Sequence, residues 1–340
     1  LNLVTGATGI IGSQVVLQLL QQGKLVVAAK QKRSDVGKIK KLFGYYGEQN
    51  LPLFEKIKWV DIDVTDIFSI EDALTGIDAV YHCAGFVSFQ EADLEKLKHI
   101  NETGTANLVN VCIDKKVKAF CHVSSISAVN NNDYLGKLSE SVFWKTSGKE
   151  SNYAISKYNA EREVWRGIEE GLQAVIVNPG VVLSPGFWQQ SSGKLFPFCS
   201  KGNLFYTEGK TGYVAVEDVA KVMIALVDKG VFNERFILIE NNYSTKDMLG
   251  IIQNNFNKKA PSIKLGQFAL QTAGIIDGII TLISQKERRL SKESIRSTVG
   301  SKEYSNEKVK KALNFEFSPL KDHISFICKA YLQDLSSSKN

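Results

Sequence analysis

The chain is poor in the residues that staple small or secreted folds. It has only five cysteines and four histidines in 340 residues. Cys83, Cys112, Cys121, Cys199 and Cys328 form no Cys-x-x-Cys pair, and their number is odd. The histidines show no metal-ligand spacing. A disulfide scaffold and a structural zinc site are therefore not expected, no metal is assigned, and a reducing, cytoplasmic setting is. An excess of one charge is also missing: 42 basic residues stand against 36 acidic ones, a net +6, with no long basic run. Nucleic acid is not an expected partner. Nor is there a long uninterrupted hydrophobic run. The greasiest stretch, Leu265 to Ile283, is broken by Gln267, Gln271 and Asp277. It reads as a buried or pocket-lining helix ending near residue 285, and no membrane contact is expected. No basic and apolar leader precedes Leu1, which already reads as strand, so export is not expected. The missing initiator Met suggests that a residue or two precede Leu1.

What is present is ordinary globular composition, 44% apolar and 23% charged. The length suits two domains, or one with an appended lobe. Short β-rich runs alternate with helical ones. Strands are expected at Leu1–Thr5, Leu25–Ala29, Ile57–Asp61, Ala79–Ala84, Ala119–Ser124 and Ala174–Asn178. Helices are expected at Gly12–Gln22, Asn101–Lys115 and Tyr153–Gly171. Such alternation requires crossovers, hence parallel strands with helices on both faces. The fold class is α/β, a doubly wound parallel sheet whose ligand crevice lies at the carboxyl ends of the strands. Residues 1–180 form this domain. Residues 181–212 look irregular. Residues 213–240 return to the sheet through a helix near 216–229 and a strand at Arg235–Ile239. Residues 181–212 and 241–335 together form a smaller, mostly helical substrate lobe, and 336–340 a frayed tail.

The opening Thr5-Gly6-Ala7-Thr8-Gly9-Ile10-Ile11-Gly12 is a strand, a glycine turn and a helix start. Glycines let backbone approach a pyrophosphate, and the helix N-terminus offers free N–H groups. This opening resembles that of the extended short-chain dehydrogenase/reductases. That family includes NAD-dependent epimerase/dehydratases, dihydroflavonol reductases and 3β-hydroxysteroid dehydrogenases. Later landmarks follow the family order. They are Asp63-Val64, His82-Cys83-Ala84-Gly85 (His82 replacing the usual Asn), Asn101-Glu102-x-Gly104-Thr105, Ser124-Ser125, Tyr153-x-x-x-Lys157, Asn178-Pro179-Gly180 and Val216-Glu217-Asp218-Val219-Ala220. The resemblance covers the chain to about residue 240 and implies a Rossmann fold with a nicotinamide dinucleotide. Cofactor contacts are implied at Thr5, Gly6, Thr8, Gly9, Ile10, Ile11, Gly12, Asp63, Val64, Cys83, Ala84, Gly85, Tyr153, Lys157, Asn178, Pro179, Gly180 and Val181.

An acidic residue ending the second strand normally holds the NAD ribose. Here the strand ends in Lys30, followed by Lys32 and Arg33. Lys30 and Arg33 would attract a 2′-phosphate, which favours NADP over NAD. The alternative is a solvated basic loop.

Tyr followed four residues on by Lys occurs three times, at Tyr153/Lys157, Tyr206/Lys210 and Tyr304/Lys308. Only Tyr153 opens a helix leading into a strand of the sheet, where positions i and i+4 share a face. Free Tyr titrates near pH ~10. A neighbouring cation favours the phenolate, so Tyr153 is the expected acid/base, with Lys157 as its cation. Lys157 is also expected on the nicotinamide ribose, by resemblance. Ser125, at a strand end, would hold the substrate oxygen. Ser124 is its alternative, and Ser127 adds a contact. Asn101 completes the catalytic set by resemblance, either stabilising the helix or ordering a proton-relay water.

Dehydratases of the family carry an Asp-Glu pair where Ile126-Ser127 stand here, so dehydration is not expected. Nucleotide-sugar enzymes tend to place an Arg where Lys210-Thr211-Gly212-Tyr213 stand. Phe86, Val87, Ser88 and Phe89, with Phe187 and Trp188, are expected at the substrate pocket. The expected function is oxidoreduction of an apolar or aromatic carbonyl or alcohol. A nucleotide-sugar epimerase and a non-catalytic dinucleotide-binding protein are the alternatives. Helices 101–115 and 153–171 either cover this chain's own sheet or pair with a second copy into a homodimer.

Overall fold

The computed structural model describes residues 1–131, 134, 136–266 and 300–337. Six strands fall where the apolar runs predict them, within about a residue or two. They are β1 (Asn2–Thr5), β2 (Val26–Lys30), β3 (Lys58–Asp61), β4 (Ala79–His82), β5 (Ala119–Val123) and β6 (Ala174–Pro179). Short strands β7 (Val181–Leu183), β8 (Phe205–Tyr206) and β9 (Lys210–Ala215) precede β10 (Glu234–Leu238). The main sheet has the order β10-β6-β5-β4-β1-β2-β3 and is parallel throughout. Successive side chains point to opposite faces. Val4, Ala28, Cys121 and Val177 therefore meet α1 (Ile10–Gln21) on one side, while Leu3, Val27, Phe120 and Ile176 enter a second core on the other. Each large aliphatic or aromatic side chain buried this way stabilises the fold by about 1.5–3 kcal/mol. The second core is covered by α2 (Gly104–Asp114) and α3 (Asn152–Glu169).

The strand order reverses between β1 and β4, so the loops leaving these two strands diverge and open a crevice. The glycine turn follows β1, and residues 83–89 follow β4. The segment 213–240 carries one helix and one strand. Helix α4 (Val216–Asp228) packs beside α1, Gln18 Nε2 donates to Glu217 O at 3.0 Å, and β10 extends the sheet.

One expectation needs correction. Residues 181–212 are not simply irregular: β7 pairs with β9, and a short helix spans Leu195–Ser200. Three-residue strands carry too few positions to show a period. Helix α6 (Leu320–Ser337), which follows α5 (Thr245–Asn255), reaches the first two residues of the expected tail, and 338–340 lie outside the described residues. The hydroxyls of Ser336 and Ser337 donate to Gln333 O at 2.7 and 3.0 Å. A third apolar core joins Leu183, Phe196 and Tyr213 to Met248 and Ile252 of α5 and to Ile324, Ile327 and Tyr331 of α6. This third core draws on separated pieces of the chain. The helix expected within 265–285 lies almost entirely outside the described residues. No helix among the described residues is long and apolar enough to cross a membrane.

Candidate active site

The glycine turn is built so tightly that side chains cannot enter it. Gly6 has φ +62°, and a Cβ there would sit 2.7 Å from Ala84 N. A Cβ on Gly12 would sit 2.2 Å from Gly6 O. Gly9 N donates to Gly6 O at 2.9 Å. No side chain caps α1, and its first turn holds no acidic residue. Its leading N–H groups and positive dipole end are thus available to a diphosphate, with Ile10 and Ile11 packed against the core below. Thr8 Oγ1 reaches Ser34 Oγ at 3.5 Å. These residues fit the dinucleotide.

On the far side of β1, Lys30 stands directly opposite Asp61 in the β2–β3 register and is ion-paired with it. The sequence cannot reveal that register, so the cation expected on a 2′-phosphate already has a partner. Arg33 is exposed. Asp63 accepts from Thr65 N at 2.9 Å and Thr65 Oγ1 at 2.7 Å, and these bonds hold its carboxyl below the usual range. Val64 packs against Gly104, where a Cβ would lie 2.6 Å from Val64 Cγ2.

The β4 end is organised by polar bonds. His82 replaces the family Asn and is fully buried. Its Nδ1 lies 2.8 Å from Thr5 Oγ1 and its Nε2 3.1 Å from Thr105 Oγ1. Burial first, and the Lys157 charge second, lower its pKa to about 3, so the ring is neutral. Ala84 N donates to Thr5 Oγ1 at 3.2 Å, tying the β4 turn to β1. Burial raises the pKa of the Cys83 thiol. Gly85 leaves room above Lys157, whose Nζ would be 3.7 Å from a Cβ there. Asn101 sits in a π-helical turn, Lys98–Thr103. Its Oδ1 accepts from Phe86 N at 2.8 Å, and its Nδ2 donates to Phe86 O at 2.9 Å and Ser156 Oγ at 3.0 Å. Asn101 thus fastens the β4 turn to α3, the structural half of its expected role. Ser88 is spent on its own loop, donating to Asp93 Oδ2 at 2.5 Å and accepting from Gln90 N at 3.1 Å.

Helix α3 begins at a Ser151 cap whose hydroxyl accepts from Ala154 N at 3.1 Å. Tyr153 lies in the first turn and Lys157 one turn on. Burial raises the Tyr153 pKa, and a side-chain hydrogen bond with Ser125 opposes that rise. The Tyr153 ring meets Phe89 edge-on at 5.8 Å. Ser125 follows β5, and its Oγ accepts from Ser127 N at 3.1 Å. Lys157 is 4% exposed and donates to Val123 O at 2.7 Å. Burial lowers its pKa to about 8, against the opposing pull of Glu161. The expected trio therefore meets at the carboxyl end of β5. In the protein alone, however, Ser125 rather than Lys157 is what favours the Tyr153 anion. The other Tyr/Lys pairs are set aside by the fold. Tyr206 and Lys210 lie on separate strands, and Tyr304 is buried in an apolar cluster with Leu138 and Ile239.

At the end of β6, Asn178 Nδ2 donates to Ser125 O at 2.9 Å, while a Cβ on Gly180 would meet Gly212 O at 2.4 Å. Pro179 closes β6, and Val181 starts β7. Phe86 lies beneath the Lys96 ammonium, 4.2 Å from its ring centre. Phe187 and Trp188 correct the pocket expectation. Phe187 is 8% exposed within the main core, and Trp188 packs on Phe196 and Tyr331 while its Nε1 donates to Asp334 at 2.8 Å. The sequence reading also missed two charged residues beside the site, Glu161 and Arg235, which form an ion pair at 3.4 Å. Glu161 stands four residues beyond Lys157 on a predicted helix, which is the signal that would have found it.

Comparison with known proteins fits this geometry. The model of the NAD dependent epimerase/dehydratase family matches residues 2–238. Sterol demethylase protein B of Methylococcus capsulatus is 28% identical over 292 residues, covering 85% of this chain and 82% of that one. Tetraketide alpha-pyrone reductase 2 of Arabidopsis thaliana is 27% identical over 274 residues, covering 75% and 82%. Among solved structures, a UDP-glucose 4-epimerase of Thermotoga maritima with UDP-glucose superposes with a TM-score of 0.76 at 19% identity, covering 98% and 99%. That last likeness speaks for the fold. With its glycine cradle, switch-point crevice and family match, the chain belongs to the NAD dependent epimerase/dehydratase family of extended short-chain dehydrogenase/reductases and is an NAD(P)-dependent oxidoreductase of that type.

Proposed function

We propose that the chain reduces an apolar or aromatic carbonyl compound, with NADP preferred over NAD and Tyr153 as the proton donor. The observation that carries this reading is the convergence of Ser125, at the end of β5, with Tyr153 in the first turn of α3 and Lys157, which donates to Val123 O of β5, one turn beyond. The cofactor, when bound, supplies the hydride. The rest is done by the chain. Ser125 holds the carbonyl oxygen, and Tyr153 protonates the oxygen as negative charge develops there. Burial raises the Tyr153 pKa and keeps the phenol protonated at neutral pH, which suits a donor to an alkoxide, a far stronger base than phenolate. The reverse reaction needs phenolate. Lowering its pKa by about three units corresponds to about 4 kcal/mol, the contribution asked of the Lys157 cation and the cofactor together.

NADP is preferred in this reading because no carboxylate ends β2 and Arg33 is exposed beside it. Lys32 is a further cation, and Lys30 contributes less because of Asp61. The reductase relative supports a carbonyl substrate. A nucleotide-sugar epimerase is less well served, since Lys210 is engaged by Glu303 and no Arg stands in 210–213.

The test combines two measurements. Fluorescence titration with NADPH and NADH is expected to show tighter binding of NADPH. NADH bound at least about tenfold more tightly, or ~1.4 kcal/mol, overturns the preference. NADPH consumption is then followed with a panel of aromatic ketones and aldehydes. Tyr153→Phe is expected to keep cofactor binding and lose at least about a hundredfold in turnover. Undiminished turnover removes Tyr153 from the chemistry. Interconversion of a UDP-sugar without net cofactor change selects the epimerase.

A further inference from the structure

The chemistry above leaves one buried charge on the active-site helix unused. Glu161 lies one turn beyond Lys157 on α3 and is 1% exposed. Its Oε1 accepts from Asn178 Nδ2 at 2.5 Å, the same nitrogen that donates to Ser125 O. Its Oε2 lies 3.4 Å from Arg235 Nη1. Arg235 in turn donates from Nε and Nη2 to Glu140 O at 3.1 and 2.7 Å, and from Nη2 to Val142 O at 2.9 Å.

Hydrogen bonding alone does not call for a carboxylate here. A glutamine could accept from Asn178, and backbone carbonyls already occupy Arg235. Burying an ionised carboxylate costs several kcal/mol even after relaxation, so the charge needs another reason. Lys157 supplies one. Its ammonium donates to the Val123 carbonyl, and the groups around it come from four elements. His82 and Cys83 face it from β4 and its turn, and His122 from β5. Glu161 faces it from its own helix, and Arg235 stands behind Glu161 on β10. Both histidines are held neutral by burial, and burial raises the thiol pKa. Among these groups Glu161 is the one carboxylate. Burial lowers the Lys157 pKa, and Glu161 first and Cys83 second oppose it. Burial likewise raises the pKa of Glu161, and its contacts with Ser124 and Asn178 and the Arg235 and Lys157 charges oppose that rise.

Taking Tyr153 and Lys157 as the proton-handling pair, we propose that Glu161 is a positioning residue. Its charge keeps Lys157 an ammonium at neutral pH, and its bond to Asn178 seats the Ser125 segment beside Tyr153. The juxtaposition is i, i+4, i+8 along one helix: acid/base, cation and counter-charge.

Trace acetylation with acetic anhydride across a pH series tests this without any substrate. Only the free amine reacts, so the labelling midpoint of the Lys157 peptide, read by mass spectrometry, reports its protonation. Exposed Lys115 is the internal reference. In Glu161→Gln the Lys157 midpoint is expected to fall by about one pH unit, equivalent to ~1.4 kcal/mol, while Lys115 does not move. Glu161→Asp, which keeps the charge, should recover part of the shift. A merely structural role would alter the melting temperature but not this midpoint. If Glu161→Gln gives no cooperative melt, the double variant Glu161→Gln/Arg235→Gln carries the test, because it does not leave Arg235 buried without its carboxylate. The same fall is expected there. An unchanged midpoint overturns the proposal, as does a Lys157 that no pH makes reactive, since it would then not face the crevice. Either result leaves the Tyr153 reading standing, which fails only if Tyr153→Phe retains turnover.

Discussion

His82 shows how one residue can bind the site to the stability of the whole sheet. Where the family turn has Asn, this chain buries an imidazole between Thr5 and Thr105. An unfolded His titrates near pH ~6.5. In the folded chain His82 is lowered to about 3, by burial first and by Lys157 second. Between those values the unfolded chain binds more protons, so stability falls as pH falls through the window and is intact above it. His82→Asn removes this term. At pH ~7 the smaller side chain leaves a gap beside Phe120, whose ring centre is 6.0 Å from that of His82, and lowers the melting temperature. The loss of melting temperature between pH ~7 and ~4.5 should nonetheless be smaller than in the parent chain. Melts followed by circular dichroism at the two pH values decide it, and an unchanged difference refutes the assignment. His122, 5.2 Å away ring to ring and also lowered by burial, contributes to the acid sensitivity that remains.

At the scale of elements, the first helix turns on a competition between propensity and space. Replacing Gly by Ala inside a helix normally stabilises by about 1 kcal/mol. At Gly12 the new Cβ would lie 2.2 Å from Gly6 O and 2.7 Å from Gly6 C, both backbone, so the turn itself must move. Gly12→Ala is expected to weaken NADPH binding at least about tenfold, ~1.4 kcal/mol, despite the better helix former. Gly9→Ala, with its nearest approach at 3.2 Å, should cost less. Equal affinities for the two variants in a fluorescence titration would contradict the packing described. The elements themselves were largely legible. Ala174–Asn178 was expected and Ala174–Pro179 is found, because a strand covered on both faces reads as an unbroken apolar run. Tyr153 was selected over Tyr206 and Tyr304 for the same kind of reason: only its surroundings read as a helix feeding a strand. What stayed hidden depends on register and tertiary packing. Lys30 meets Asp61 only because β2 and β3 pair in one register. Phe187 and Trp188 look in sequence like pocket walls, yet Phe187 sits in the main core and Trp188 packs half-buried on Phe196 and Tyr331. The apolar run on α3 divides likewise. Ala154 and Val164 are buried within this chain, and Trp144 stacks on Tyr158 at 4.4 Å.

At the scale of the molecule, the last helix is tied by polar contacts to the helix after β2 and to the segment after β7. Asp334 on α6 accepts from Tyr45 Oη at 2.5 Å and from Trp188 Nε1 at 2.8 Å, and pairs with Lys41 Nζ at 2.8 Å. Tyr45 and Lys41 belong to the helix Gly37–Tyr45, which follows β2, whereas Trp188 belongs to the segment after β7. One carboxylate thus joins the nucleotide-binding half, the connecting segment and the C-terminal helix. The Lys41 pair is largely exposed on the lysine side and contributes little by itself. The phenol and indole bonds are partly buried, and breaking a bond to a charged acceptor costs about 1.5–3 kcal/mol. Asp334→Ala is therefore expected to lower stability by roughly 2–4 kcal/mol in urea unfolding, most of it from the two aromatic donors left without an acceptor. Lys41→Ala, which removes only the outer pair, should cost less than about 1 kcal/mol. None of these bonds involves the glycine turn, so NADPH affinity should be nearly unchanged in Asp334→Ala. On the proposed function, the KM for the carbonyl substrate should rise, because the segments that Asp334 joins are less firmly seated. A variant that loses NADPH affinity as much as substrate affinity would show instead that the two lobes fold and bind as one unit.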